Sequence, residues 1–274
     1  MPSAFYNPIG TTALVTGASS GLGVGYAHEL AQRGADLVLV ARRQARLEAL
    51  AVDLAEKYGT VSTVIPLDLT TADAVPELVA DLRERMITIG TLVNNAGFAT
   101  FGSVLDSDAA REREQVALNV HALTALTHAL LPDLVETASL HPHTAALVNV
   151  ASTAAFQPVP RMAVYGATKA YVLSYTEAVS FETRASGLKV TAICPGPADT
   201  EFFEVAQTSG DKKGAPLTVE QVMRASFAAL DRSVTPAVVL VGARNAVLAR
   251  AARIFPRRGV LNAVGRLNTP RGSR

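Results

Sequence analysis

The chain has no tryptophan, a single cysteine and few aromatic residues of any kind, 5% of 274. Each shortage narrows the answer. Cys194 alone can build neither an intramolecular disulfide nor a cysteine-cluster zinc site, so no metal is expected. A core short of aromatics has to be aliphatic, made of Ala, Val and Leu. No apolar run approaches the roughly 18 residues that span a bilayer, and residues 1–10 lack the basic start and apolar stretch of a signal peptide. The expectation is a soluble, cytoplasmic protein. Acids are missing only locally. From Arg232 to Arg274 there are nine Arg and no Lys, Asp or Glu, whereas the first 231 residues hold 16 bases against 24 acids.

What is present is enough for a large core. Hydrophobic residues make up 49% and charged residues 18%, which excludes wholesale disorder. Short apolar runs alternate with helical patterns along the chain. Strands are expected at 13–15, 37–41, 61–65, 91–94, 145–150, 188–193 and 237–241. Helices are expected at 22–33, 43–58, 72–86, 108–130, 162–186 and 219–230. The runs are continuously apolar, as in strands buried on both faces. Seven strands alternating with six helices predict an α/β fold: a doubly wound Rossmann sheet, mostly parallel, with helices on both faces. Residues 1–242 would form the dinucleotide-binding and catalytic domain, and 243–274 a basic amphipathic extension of it. The patternless stretch 196–216 has the length of a lid or binding segment.

The first strand runs into Thr16-Gly17-Ala18-Ser19-Ser20-Gly21-Leu22-Gly23. Gly17 permits a tight turn, Gly21 clears the backbone's approach to a pyrophosphate, and Gly23 lets the helix pack close to the strand. The helix N-terminus offers free N–H groups and a positive dipole end to that anion. Taken alone, the pattern also fits an ordinary strand–helix turn; its place in the first unit of the sheet favours a dinucleotide. The second strand ends Val40-Ala41-Arg42-Arg43, without the acid that accepts from an NAD ribose. Arg42 is therefore the candidate for a 2′-phosphate, with Arg43 behind it, and NADP is read over NAD.

Tyr165 and Lys169 are four apart at a helix start and so share a face. Ser152 lies just past the fifth strand, at the end of the sheet where ligands bind. Reduction of a ketone needs a hydride at carbon and a proton at oxygen. A free phenol, with a pKa of about 10, exchanges protons poorly at neutral pH. A neighbouring Lys169 ammonium is expected to lower that value, and Ser152 to orient the carbonyl oxygen.

Thr16–Gly23, Asn94-Asn95-Ala96-Gly97, Asn119, Ser152, Tyr165, Lys169 and Pro195-Gly196 together resemble the classical short-chain dehydrogenase/reductases, over nearly the whole chain. The resemblance implies a catalytic set of Asn119, Ser152, Tyr165 and Lys169, with Asn119 supporting a proton path to Lys169. It implies that Ser19, Ser20 and Leu22 join the three glycines at the cofactor. Asp68 and Leu69 would flank the adenine, and Asn95, Ala96 and Gly97 would line the adenosine pocket. Pro195, Gly196 and Thr200 would lie along the nicotinamide, whose ribose Lys169 would bind. Homodimers or homotetramers are implied as well. Cys194 reads as a small core hydrophobe.

Segments 98–101, 153–164 and 201–216 should surround the substrate. Phe98, Ala154 and Phe202 join Ser152 there, and Arg161 is the only charge in the middle segment. The lining is mostly apolar, so an apolar ketone or secondary alcohol fits best. In the extension, Val247, Leu248, Ala251, Ile254 and Phe255 form one helical face and Arg250, Arg253 and Arg257 another. That face is expected to pack on the acidic body or on a second subunit, in preference to a membrane surface. No nucleic-acid partner is expected. The reading is an NADP-dependent ketone/alcohol oxidoreductase. The alternatives are an NAD-dependent alcohol dehydrogenase of the same fold and a non-catalytic dinucleotide sensor.

Overall fold

In the computed structural model the described residues are 5–201 and 216–268. Seven strands form one sheet: β1 Thr12–Thr16, β2 Asp36–Ala41, β3 Ser62–Pro66, β4 Ile89–Asn94, β5 Ala146–Val150, β6 Lys189–Cys194 and β7 Val238–Leu240. Their order is β3-β2-β1-β4-β5-β6-β7, and every pairing is parallel. The strand order reverses between β1 and β4, where the chain crosses from one half of the sheet to the other. In open α/β sheets the crevice beyond the strand ends at such a reversal is the ligand site.

The continuous apolar runs have a simple cause. Alternate residues of one strand feed two different cores. Ala13 and Val15 of β1, with Leu37 and Leu39 of β2, face α1 (Gly21–Gln32), α2 (Gln44–Tyr58) and α7 (Val219–Leu230). Leu14, Val38 and Val40 face α3 (Ala74–Glu84), α5 (Leu123–Leu140) and α6 (Ala163–Glu182). These side chains are almost wholly buried, each worth roughly 1.5–3 kcal/mol relative to exposure.

The fourth helical segment differs from its expected span. It begins as α4 (Ala109–Val116), passes through a π-helical turn, Ala117–Ala122, and continues as α5 to Leu140. The sequence reading stops it at 130, ahead of Pro132. The proline removes one backbone donor, yet the helix carries on because Leu130, Leu134 and Ala138, at i, i+4 and i+8, are all buried.

The extension also departs from expectation. It forms two helices, α8 (Ala243–Ile254) and α9 (Arg257–Asn268), separated at Pro256. The body of the same chain, one of the two expected coverings, does not cover Val247, Leu248, Ile254 and Phe255: they are exposed, from 58% for Leu248 to 82% for Ile254. The inward face is instead Asn245 and Ala249, with Ala249 only 2% exposed. Small residues are needed there because α8 lies close to the turn at Thr153–Phe156 and to Gly196. Among the described side chains no arginine of the extension forms an ion pair with the acidic body. Among the described residues no helix is long and apolar enough to cross a membrane.

Candidate active site

The glycine turn is shaped by two contacts. Gly17 has φ 66°, a left-handed conformation that side chains disfavour. A Cβ at Gly23 would overlap the Gly17 carbonyl. Asn95 braces the turn, its Nδ2 donating to Thr16 O at 2.9 Å and to Gly17 O at 3.3 Å. Thr16 completes the brace: its Oγ1 accepts from the N–H groups of Asn95 and Ala96, both at 3.0 Å. Thr16 carried no role in the sequence reading, because a hydroxyl bonded to loop backbone leaves no periodic trace.

The start of α1 suits an anion. Ser20 occupies the N-cap but makes no side-chain capping bond, and the first turn contains no acid. Its N–H groups are therefore not taken by the protein's own side chains, the condition a pyrophosphate needs. Thr200 closes on this turn, so that a Cβ on Gly21 would sit 2.9 Å from its methyl group.

Beyond β2 the two arginines divide. Arg42 leans toward Asp68, Nη1 to Oδ2 3.9 Å, and remains largely exposed. Arg43 reaches the turn itself, donating to Ser19 Oγ from Nε at 3.2 Å and from Nη2 at 3.1 Å. Its Nη1 also donates to Glu201 at 2.8 Å, and Arg46 donates to the other oxygen at 2.6 Å. The two guanidinium groups hold the Glu201 carboxyl below its ordinary pKa. Asp68 caps its own loop by accepting from Thr70 N and Oγ1, and Leu69 beside it is buried.

The catalytic candidates meet at the ends of β5 and β6. Ser152 follows β5; its Oγ accepts from Ala154 N at 3.1 Å. Thr153 N donates to Pro195 O at 2.9 Å, which ties this turn to the end of β6. Tyr165 stands in the first turn of α6, buried with Ala99, Ala154 and Met162 around it, and hydrogen-bonds Ser152. Lys169 follows one turn later, fully within the fold, and Nζ donates to Val150 O at 2.6 Å. A Cβ on Gly97 would sit 2.9 Å from Asn119 Oδ1 and 3.6 Å from Lys169 Nζ, which places all three together. Cys194 is buried in the core, as expected.

Burial sets the electrostatics of Tyr165 and Lys169. Burial pushes the Tyr165 phenol up to about 12, opposed only by the Ser152 hydrogen bond. Lys169 stands off from the phenol: Nζ is 5.9 Å from the ring centroid and donates to Val150 O. Burial lowers Lys169 itself, from 10.5 to about 8. Two groups withdrawn from water each favour their neutral form.

Asn119 sits in the π-helical turn. It accepts from Phe98 N at 3.2 Å and donates to Phe98 O at 3.0 Å and to Thr168 Oγ1 at 3.1 Å. Gln115, one turn earlier and wholly buried, accepts from Thr100 N and Thr100 Oγ1. Two carboxamides thus grip segment 98–100. Gln115 was missed; its only trace is its place four residues before Asn119. Phe98 is buried beneath Arg111. Phe202 lies outside the described residues. Among those residues no cluster of three His, Cys, Asp or Glu could hold a metal.

Comparison with known proteins agrees with this arrangement. A family described as short chain dehydrogenase matches residues 11–210. The chain is 36% identical over 223 residues to sulfoacetaldehyde reductase 2 of Chromohalobacter salexigens, covering 78% of this chain and 86% of that one. Among solved structures, a short-chain dehydrogenase from Sphingobium yanoikuyae in complex with NADPH superposes with a TM-score of 0.77 at 34% identity. The match covers 96% of this chain and 100% of that one. The bulky-bulky ketone specific alcohol dehydrogenase of Comamonas testosteroni gives 0.73 at 30%, over 96% of each chain.

Proposed function

The chain belongs to the short-chain dehydrogenase family, an oxidoreductase acting on alcohol and carbonyl groups with a nicotinamide dinucleotide, and from that premise we propose that it reduces an apolar ketone with NADPH. The observation that carries this reading is the geometry at Tyr165, a buried phenol hydrogen-bonded to Ser152 and one helical turn from Lys169. A neutral phenol is a proton donor, which suits reduction.

The chain's own residues fit the cofactor. The uncapped start of α1 and the turn braced by Asn95 would hold the pyrophosphate, and Arg42 with Arg43 the 2′-phosphate. The missing acid at the end of β2 favours NADP over NAD. When bound, the cofactor supplies the hydride. Ser152 orients the carbonyl oxygen. Tyr165 O–H gives that oxygen its proton, and Lys169, when protonated, stabilises the phenolate that remains. Asn119 holds Gly97 and Phe98 against Lys169 and supports return of the proton. Ala99, Ala154, Met162 and Phe98 exclude water around the reacting oxygen. Two copies, or four, form the working assembly.

The test is NADPH oxidation, followed at its own absorbance, with a panel of hydrophobic ketones. Turnover of several is expected. A protein that binds NADPH but reduces none of them, and oxidises none of the matching alcohols, is a dinucleotide-binding protein and not this enzyme.

A further inference from the structure

Arg161 is the one charged residue in the segment between Ser152 and Tyr165, and the fold holds it in an unusual way. Its φ is 67°, in the left-handed region that an arginine rarely adopts. The conformation is imposed from two sides. Arg161 O accepts from Gly102 N at 2.8 Å, which joins this segment to the 98–102 segment. One residue earlier, Pro160 O accepts from Asn268 Nδ2 of α9 at 3.1 Å. The 98–102 segment is fixed in turn by Asn119 and Gln115. The guanidinium then rests over the Phe101 ring, 5.0 Å from its centroid.

Among the described residues no acid pairs with Arg161, and its Nε–H is buried without an acceptor. A buried N–H without an acceptor is costly, and a strained backbone adds to the cost. The other arginine stacked on the 98–102 segment is not in this position: Arg111 of α4, over Phe98, pairs with Glu114 at 2.6 Å. Met162, next to Arg161, packs around the Tyr165 ring. Arg161 therefore stands one residue from a side chain that packs on the reacting Tyr165.

We propose that Arg161 determines substrate specificity: it seats an anionic group, carboxylate or an equivalent oxo-acid, at the far end of an otherwise apolar ketone. The proposal rests on the ketone-reductase reading and names the substrate class of that same site. A guanidinium fork matches a carboxylate's two oxygens, and stacking on Phe101 leaves its edge free to donate.

The experiment compares ω-carboxylated ketones of increasing chain length with their methyl esters, using NADPH and the full chain. In the wild type kcat/KM is expected to favour the acid at one preferred length. In Arg161→Met the acid-to-ester ratio is expected to fall about ten- to hundredfold, chiefly through KM, the range of one charge-assisted contact. Arg161→Lys should keep part of the preference. Arg161→Gly, whose backbone suits a φ of 67°, serves as the second variant should the Met substitution misfold; both are checked by circular dichroism and NADPH titration. Equal use of acid and ester by the wild type, or an unchanged ratio in both variants, overturns the role of Arg161 and leaves the reductase reading standing. If the wild type reduces neither series nor any neutral ketone, both readings fall.

Discussion

Lys169 donates from Nζ to the backbone carbonyl of Val150 at 2.6 Å, one turn of α6 beyond Tyr165. The ammonium is fully enclosed, and burial lowers its pKa from 10.5 to about 8. The unfolded chain therefore binds this proton more tightly than the folded one. Between pH 8 and 10.5 it carries more protons, so stability contributed here rises with pH through that window. Below pH 8 the full cost applies, at most about 3 kcal/mol. Lys169→Met is thus expected to melt above the wild type at pH 7, with the margin shrinking by pH 10. Tyr165, pushed up to about 12, acts in the opposite sense only above pH 10. An equal margin at both pH values would show that the buried charge is not the cause.

Tyr165→Phe keeps the ring among Ala99, Ala154 and Met162 and removes only the hydroxyl. Folding and NADPH binding should survive, while kcat falls by at least about a hundredfold. Wild-type turnover in a variant that binds NADPH normally would remove Tyr165 from the chemistry.

Cofactor choice is carried by Arg42 and Arg43. Arg42→Ala is expected to weaken NADPH binding about 10- to 100-fold and to leave NADH nearly unchanged, as read by titration calorimetry. If the selective loss appears in Arg43→Ala alone, the 2′-phosphate belongs to the arginine that already contacts Ser19.

Much of this was legible because the constraints are local or periodic. A strand that feeds two cores must be apolar at every position, so β1 and β2 stand out as continuous runs. Tyr165 and Lys169 share a helix face by spacing alone. What escaped depends on packing between distant segments. Pro132 stops a helix only where no buried side chains hold it, and Leu134 and Ala138 do. The inward face of α8 is set by crowding at Gly196, which favours Asn245 and Ala249 over the larger Val247 and Leu248. The sequence also could not show that Lys169 would be enclosed and donate to Val150, because burial is a property of the whole fold.

Glu201 holds Arg43 and Arg46 together at the turn where the 2′-phosphate would sit. A carboxylate there competes with the phosphate for the same guanidinium. Glu201→Gln should therefore tighten NADPH roughly two- to fivefold, the scale of an exposed ion pair, with NADH unmoved. Weaker NADPH binding in this variant would mean that Glu201 positions the arginines and does not oppose the cofactor.

The exposed apolar residues Val247, Leu248, Ile254 and Phe255, with arginines beside them, are expected to cover the acidic body of a second copy. The charge imbalance within the chain supplies the attraction. Leu248→Glu or Phe255→Glu should lower the particle mass seen by light scattering, and the wild type should not float with anionic vesicles. An unchanged mass together with salt-sensitive flotation would assign the face to a membrane.

The π-helical turn between α4 and α5 contains one residue more than an α-helix would use, so it rotates everything before it by about 100° relative to everything after it. One helix consequently answers to two masters that need not agree. Beyond the turn, Leu126, Leu130 and Leu134 are keyed to the sheet; before it, Gln115 is keyed to the segment in front of the reacting centre. Removing a single residue from 117–122 would preserve the first keying and destroy the second. Such a chain should still fold and bind dinucleotide, yet lose turnover. The extra residue acts as a phase adjuster, letting the substrate wall be tuned without disturbing the frame that carries the cofactor.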